Sequence, residues 1–354
     1  MASDEFARQP VGSVTLGLVS EGKLLWTKSY GYADMEAKRP ATRESVYRIG
    51  SITKQFTALM LLQLVEQGKL HLADPVEQYV PELKAITPLF PEMPRPTLVE
   101  LATMTSGLAR EPSGPPDHSI GPVSSWQAKV FASLPLTSYA HEPDTRYLYS
   151  NIGYATLGIA LAKAAGEPFT DYVEQRIVAP LGITRTAFEL SRPMRDRVTK
   201  GYDINNGRPE AEASVREYEG RGYRVPNGAL FSTVDDLAKF VAWELGEGPS
   251  GILSKKAQDE NYTRLSFANG DLTFGYGVGF QATRRGTLVA LGHGGSTAGF
   301  RTAALFDRRS KTGVIVLGSV AGGKLDVSAL ALRALETIAA LAVSENQPLT
   351  GTGR

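Results

Sequence analysis

Ser51 and Lys54 stand three residues apart at the head of an apolar run, in Gly50-Ser51-Ile52-Thr53-Lys54-Gln55-Phe56. On a helix, residues at i and i+3 share a face, so the lysine amine can reach the serine hydroxyl. A serine in the first turn also meets the positive end of the helix dipole, which favours negative charge on its oxygen. A hydroxyl beside a base is the arrangement that nucleophilic catalysis uses. A free lysine, with a pKa of about 10.4, is a poor base at neutral pH. Burial among apolar neighbours lowers that value by penalising the ammonium form. A drop of about 3 units corresponds to roughly 4 kcal/mol of lost ammonium stabilisation, a cost that a chemical role would explain.

Ser-x-x-Lys occurs a second time, in Ser20-Glu21-Gly22-Lys23, where Gly22 places it across a hairpin turn and the side chains diverge. Two other short patterns are unique in the chain. Tyr149-Ser150-Asn151 is its only Tyr-x-Asn and, on its own, reads as a turn. His293-Gly294-Gly295 is its only His-x-Gly, with glycines that either let backbone approach a ligand closely or mark a bulge. The four histidines (His71, His118, His141, His293) have no metal-ligand spacing. No cofactor or metal is expected.

The elements that would carry these residues follow from pattern. Ser13–Val19 and Leu24–Tyr30 alternate around Glu21-Gly22 as a β-hairpin. Ser51–Gln67 reads as a helix apolar nearly all round, hence central and buried, with Gly68 as its stop. Leu98–Met104 and Tyr154–Ala165 also read as helices, and Thr233 is placed to cap another over Asp235–Leu245. Arg110–Ser125 and Tyr202–Gly228 have loop composition, of a length that is usually functional or disordered. Strand signals return at Phe274–Gln281, Thr287–Gly292, Phe300–Asp307 and Gly313–Val320, before an amphipathic helix from Asp326 and a polar tail, Ser344–Arg354. An isolated hairpin is marginal in water, so the early and late strands are expected to share one antiparallel sheet. The predicted organisation is a discontinuous α/β sheet domain (1–50 with 271–345), a mostly helical insertion (51–270) and a tail (346–354). The site lies between the two parts.

Composition narrows the function classes. The 354 residues are 42 % hydrophobic and 21 % charged, ordinary for a globular protein, and the formal net charge is +1. No global field recruits nucleic acid or anionic membrane. Zero cysteines exclude disulfides, thiolate metal sites and a cysteine nucleophile. Met1–Pro10 lacks the apolar core of a signal peptide, and no stretch approaches the roughly 18 apolar residues of a membrane span.

Taken in order, Ser51-x-x-Lys54, Tyr149-x-Asn151 and His293-x-Gly295 resemble the motifs of the serine β-lactamase/D-Ala-D-Ala peptidase family, in its class C-like branch. That branch also holds penicillin-binding-protein-like members, D-aminopeptidases and family VIII carboxylesterases. Val46–Gly50, Thr105-Ser106-Gly107-Leu108 and the Asn227–Phe240 stretch extend the resemblance over residues 11 to 342. Lys311-Thr312-Gly313 spells a motif that many β-lactamases use, but only one strand follows it, whereas two follow Gly295. His293 is therefore the matching position.

The resemblance implies a two-part β-lactamase/transpeptidase-like fold and an acyl-enzyme mechanism. In it Ser51 is the nucleophile, Lys54 and Tyr149 share the general-base work, and Asn151 hydrogen-bonds the substrate. His293, Gly295 and Ser296 would line the substrate strand, with the Ser51 and Ser296 N–H groups forming the oxyanion hole. Histidine in place of lysine at 293 titrates near pH 6.5 and weakens fixed carboxylate recognition. It shifts the expected substrate from β-lactams toward small esters, D-amino-acid amides or peptides, in an esterase- or carboxypeptidase-like reaction. A penicillin-binding sensor that is acylated without turnover, or a genuine class C-like β-lactamase, is the alternative. Relatives are often exported, which implies a periplasmic or extracellular setting, while the absent signal leaves a cytoplasmic one open. The implied partner is a small-molecule substrate, and oligomeric state is unassigned.

Overall fold

Strand-forming segments from both ends of the chain meet in one sheet. The computed structural model describes residues 2–268 and 270–345. It opens with helix α1 (Ala2–Ala7), the hairpin β1 (Ser13–Ser20) and β2 (Lys23–Asp34), and the short strands β3 (Arg39–Pro40) and β4 (Tyr47–Arg48). Helices α2 (Thr53–Glu66), α3 (Leu98–Ala102), α4 (Trp126–Ser133), α5 (Asn151–Ala165), α6 (Phe169–Val173) and α7 (Arg192–Arg195) follow. Next come β5 (Tyr202–Asn205), β6 (Arg208–Glu210), α8 (Glu212–Arg216), α9 (Val225–Gly228), β7 (Phe231–Ser232), α10 (Val234–Glu244) and α11 (Lys255–Asn261). The chain then runs through β8 (Ser266–Phe267), β9 (Phe274–Tyr276), β10 (Gln281–Arg285), β11 (Leu288–Thr297), β12 (Phe300–Asp307), β13 (Thr312–Gly318) and β14 (Val320–Ala321) into α12 (Val327–Glu345).

The main sheet has nine strands in the order β3-β2-β1-β13-β12-β11-β10-β9-β8. Every pairing in it is antiparallel. Strand β13 joins the early hairpin to the late strands and is buried along its whole length. Its period-two alternation sorts the layers. Val314 and Val316 lie in the cluster packed by Val327, Leu330 and Leu335 of α12, whereas Ile315 and Leu317 face the core of the helical part. Helix α10 packs on that second face, against β1, β2 and β13. Its cap forms as the sequence implies, with Thr233 Oγ1 accepting from the Asp236 N–H.

Helix α2 runs through the larger core, buried on nearly every side, and Phe56 stacks on Phe240 with ring centroids 4.5 Å apart. Several boundaries differ from the sequence reading. Ser51 lies in a 3-10 turn, Gly50–Ile52, that leads into the helix and is not in its first α-turn. Helix α5 starts at Asn151, because Ser150 caps it by accepting from Gly153 N–H at 2.9 Å. The strand expected over Phe274–Gln281 breaks where Gly277 N–H turns back onto the Phe280 carbonyl. Strand β11 continues through Thr297, so His293 is inside it and not after it. The two stretches of loop composition contain order: 3-10 turns at Pro116–Ser119 and Val123–Ser125, and the β5/β6 hairpin, α8 and α9. Their polar, proline- and glycine-containing sequences hide elements too short to show a period. The late run of sheet strands begins at Ser266 with β8, a few residues ahead of position 271. Ser344 and Glu345 belong to α12, and the rest of the expected tail lies outside the described residues. Among the described residues no helix is long and apolar enough to cross a membrane.

The Phe56–Phe240 contact makes a direct test of this core. Phe56→Ala should cost about 3–5 kcal/mol, read as a lower denaturation midpoint at unchanged slope. A loss under about 1 kcal/mol would show that α2 is not packed as described.

Candidate active site

The turn that carries Ser51 is pressed against the end of β11. Gly50 has φ +54°, and a Cβ there would lie 2.8 Å from the Ser296 backbone nitrogen. A Cβ on Gly295 would lie 2.0 Å from the Ile49 carbonyl oxygen. Both positions therefore need glycine for backbone to meet backbone. Thr302 on β12 fastens the turn by donating to the same Ile49 carbonyl at 2.8 Å. This closeness brings the Ser51 and Ser296 amides to one seam. Strand β10 pairs with β11 only as far as Gly292, so on that side His293–Thr297 carry no strand partner among the described residues.

Lys54, the second residue of α2, is fully buried. Its amine is 3.2 Å from Ser51 Oγ, 2.8 Å from Asn151 Oδ1 and 2.9 Å from the Asn227 carbonyl oxygen. It also stands over the ring of Tyr149, 4.8 Å from the centroid. Burial drives its pKa well below the ordinary lysine value, and the Arg110, Arg221 and Arg224 charges push the same way, against the opposing charge of Glu111. A neutral amine has two N–H bonds and one lone pair. The Asn151 and Asn227 oxygens only accept and take both N–H groups, so the lone pair is left for the Ser51 hydroxyl.

Tyr149 stands beside the serine with its ring under the Lys54 amine, and burial, opposed in part by Ser51, raises the phenol pKa well above its usual value. The two groups flanking the serine are thus displaced in opposite directions, which favours a neutral amine and a protonated phenol in the resting site.

His293 differs from its expected behaviour. It is 1 % exposed, with Nε2 2.9 Å from the Tyr276 hydroxyl and Nδ1 2.5 Å from the Gly294 carbonyl oxygen. The carbonyl only accepts, so Nδ1 carries the proton and Nε2 accepts from Tyr276. Burial, and secondarily the charge of Lys54, lowers its pKa from 6.5 to about 3. The ring is a fixed neutral strut beneath the site and does not switch near pH 6.5. Lys311, the literal competitor, sits in the β12–β13 turn and pairs with Glu247 at 2.8 Å. Ser20 and Lys23 lie across the β1–β2 hairpin turn as expected, but as direct partners they share one face of it and their side chains do not diverge.

Sequence reasoning missed the ring of groups behind Asn151. Glu111 accepts from Asn151 Nδ2 at 2.6 Å, from the Tyr223 hydroxyl, and from Arg224 at 3.3 Å. Burial raises its pKa, but Arg224, Tyr223, Asn151 and Arg110 together outweigh that and hold the carboxyl below its ordinary value. Arg110 spreads its guanidinium over the Tyr149 ring, 4.8 Å from the centroid, with its side chain 63 % exposed. The one available signal was position: Arg110-Glu111 comes one residue after the Thr105–Leu108 segment, and Tyr223-Arg224 precedes the Asn227–Phe240 stretch. Among the described residues no group of three or more His, Cys, Asp or Glu side chains converges as a metal site would.

A serine, a buried lysine and a tyrosine between an antiparallel sheet and a helical part define the β-lactamase/transpeptidase class of fold and site. The model of the Beta-lactamase family matches residues 3–338, and the chain belongs to that family. Beta-lactamase-like protein 2 of Dictyostelium discoideum is 30 % identical over 316 residues, which are 86 % of this chain and 55 % of that protein. The chain thus spans little more than half the length of that relative. The octameric penicillin-binding protein homologue from Pyrococcus abyssi superposes with a TM-score of 0.74 at 25 % identity, over 98 % of this chain and 76 % of the other. The D-alanine carboxypeptidase AmpC from Burkholderia cenocepacia does so with a TM-score of 0.75 at 22 % identity, over 96 % of each chain. That last likeness is one of fold.

The buried imidazole makes a prediction about pH and stability. Below pH 6.5 the unfolded chain binds a proton at His293 that the folded chain refuses until about pH 3. Stability is full above that window and falls as pH drops through it, by about 1.4 kcal/mol per pH unit from this group. His293→Gln should flatten the slope of unfolding free energy against pH relative to the parent. An unchanged slope would mean that the ring ionises freely in the folded protein.

Proposed function

We propose that this protein is a serine hydrolase that forms an acyl-enzyme on Ser51 and acts on small esters or on D-amino-acid amides and peptides. The observation that carries the reading is the buried Lys54 amine, whose two N–H groups are held by Asn151 Oδ1 and the Asn227 carbonyl while its third direction meets Ser51 Oγ at 3.2 Å. In the forward step Ser51 Oγ attacks the acyl carbon as Lys54 takes its proton. The negative charge that develops on the carbonyl oxygen is received by the Ser51 and Ser296 N–H groups. The Tyr149 hydroxyl, beside Ser51, delivers a proton to the leaving oxygen or nitrogen and is restored from Lys54. Water then repeats the sequence in reverse, with Lys54 and Tyr149 again handling the proton.

Family membership supports the hydrolase class, since β-lactamase-like members are serine hydrolases. The substrate follows from position 293. A neutral, buried imidazole offers no cation there to a substrate carboxylate. That favours esters and D-amino-acid amides over β-lactams, and the shared fold of a D-alanine carboxypeptidase is consistent with the peptide arm.

A panel of p-nitrophenyl esters, D-Ala-D-Ala peptides and nitrocefin, run beside Ser51→Ala, tests the proposal. Ester or peptide turnover should fall to the background rate in Ser51→Ala, and nitrocefin should be the slowest substrate. Full activity in Ser51→Ala would overturn the nucleophile. Nitrocefin turnover faster than that of the esters and peptides would overturn the substrate class. An intact-protein mass showing a lasting β-lactam adduct, with no turnover of any substrate, would make the protein a penicillin-binding sensor.

A further inference from the structure

Asn151 is fixed by its backbone but not, by itself, in the direction of its side-chain amide. Its N–H donates to the Arg110 carbonyl at 2.9 Å, and its carbonyl accepts from Asn227 Nδ2 at 2.9 Å. The amide then lies between two groups, the Lys54 amine at 2.8 Å and the Glu111 carboxylate at 2.6 Å. A neutral amine can donate or accept, so it does not decide which end of the amide it meets. An ionised carboxylate only accepts.

We propose that Glu111 is a positioning residue for the base, forcing Asn151 to present Nδ2 to the carboxylate and therefore Oδ1 to Lys54. This inference rests on the proposed roles of Ser51 and Lys54. With the amide reversed, Nδ2 would donate to the lone pair of Lys54, the same lone pair that receives the Ser51 proton. The carboxylate is itself held against rotation by the Tyr223 hydroxyl and by Arg224 at 3.3 Å. The chain Arg224–Glu111–Asn151–Lys54–Ser51 thus sets a single polarity, from a cation at its far end to a lone pair at the nucleophile.

Charge acts along the same chain. Glu111 raises the proton affinity of Lys54 against burial, while Arg110, Arg221 and Arg224 lower it. The remaining titratable groups around the amine are Tyr149 and Tyr154, whose phenols burial keeps protonated, and His293, which stays neutral above about pH 3. Removing the Glu111 charge should therefore lower the pKa of Lys54, and removing the Arg224 charge should raise it.

The test is the pH dependence of Ser51 labelling by a fluorophosphonate probe, which needs acylation-type attack but no deacylation. Its acid limb reports the protonation of Lys54 in the free protein. Glu111→Gln, which keeps the size and loses both the charge and the acceptor-only character, should slow labelling on the plateau at least about five-fold and move the acid limb to lower pH. Arg224→Gln should move the limb to higher pH. Opposite displacements are not what a general loosening of the loop would give. Superimposable profiles and plateau rates for the parent and Glu111→Gln would overturn the proposal. Should Glu111→Gln fail to fold, an unmoved or lowered limb in Arg224→Gln would overturn it. Ser51→Ala is run in parallel. Labelling that survives in that variant overturns the nucleophile itself, whereas labelling that depends on Ser51 and ignores Glu111 overturns only this inference.

Discussion

An amine with no exposure to water, set 3.2 Å from a serine hydroxyl, is the constraint around which the molecule is arranged. Leaving an ammonium group there unpaired would be costly, and the protein meets that cost in two ways. It surrounds Lys54 with α2, α5 and the turn before α2, which disfavours the charge. It then supplies two oxygens that hold the neutral amine in one orientation. The glycines at 50 and 295 serve the same end, because only backbone packed on backbone brings Ser51 and Ser296 to one seam.

One of the two oxygens is a main-chain carbonyl, and much of residues 217–230 serves to hold it still. Thr57 on α2 donates to the Pro226 carbonyl at 2.5 Å, and Leu230 N–H donates to Thr53 Oγ1 at 3.2 Å. Arg221, paired with Glu217 at 2.8 Å, donates to the Gly228 carbonyl at 2.9 Å. Arg48 lies over the Phe231 ring and donates to the Ala229 and Glu217 carbonyls. A segment with the composition of a loop is in this way stitched to the helix that bears the base. The buried Arg221–Glu217 pair acquires a reason beyond stability, since a segment held by one geometry of charges holds the Asn227 carbonyl in one place.

The residues of the site that fall in short, recognisable spacings were legible in the sequence, and those that support them were not. Ser51 and Lys54 announced themselves by spacing at the head of an apolar run, and Gly22 disposed of their twin at Ser20. Tyr149 and Asn151 were visible as a unique pair, though the cap at Ser150 that starts α5 was not used to place them. The nine-stranded sheet followed from strand patterns at both ends of the chain. Glu111, Tyr223 and Arg224 escaped because their partners are more than a hundred residues away in some cases and their local sequence has no period. His293 was found, but its charge was misjudged: a titration near 6.5 assumes water, and the β11 register turns the ring onto Tyr276 inside the protein.

The account turns on the protonation of a single amine, which can be observed without any substrate. Titrating the protein with ε-13C-labelled lysine by NMR, with Lys54→Met to assign the resonance, reads it directly. The account predicts one lysine signal that changes well below the ordinary lysine pKa of 10.5 and is absent in Lys54→Met. A Lys54 signal that titrates together with the exposed lysines would contradict it.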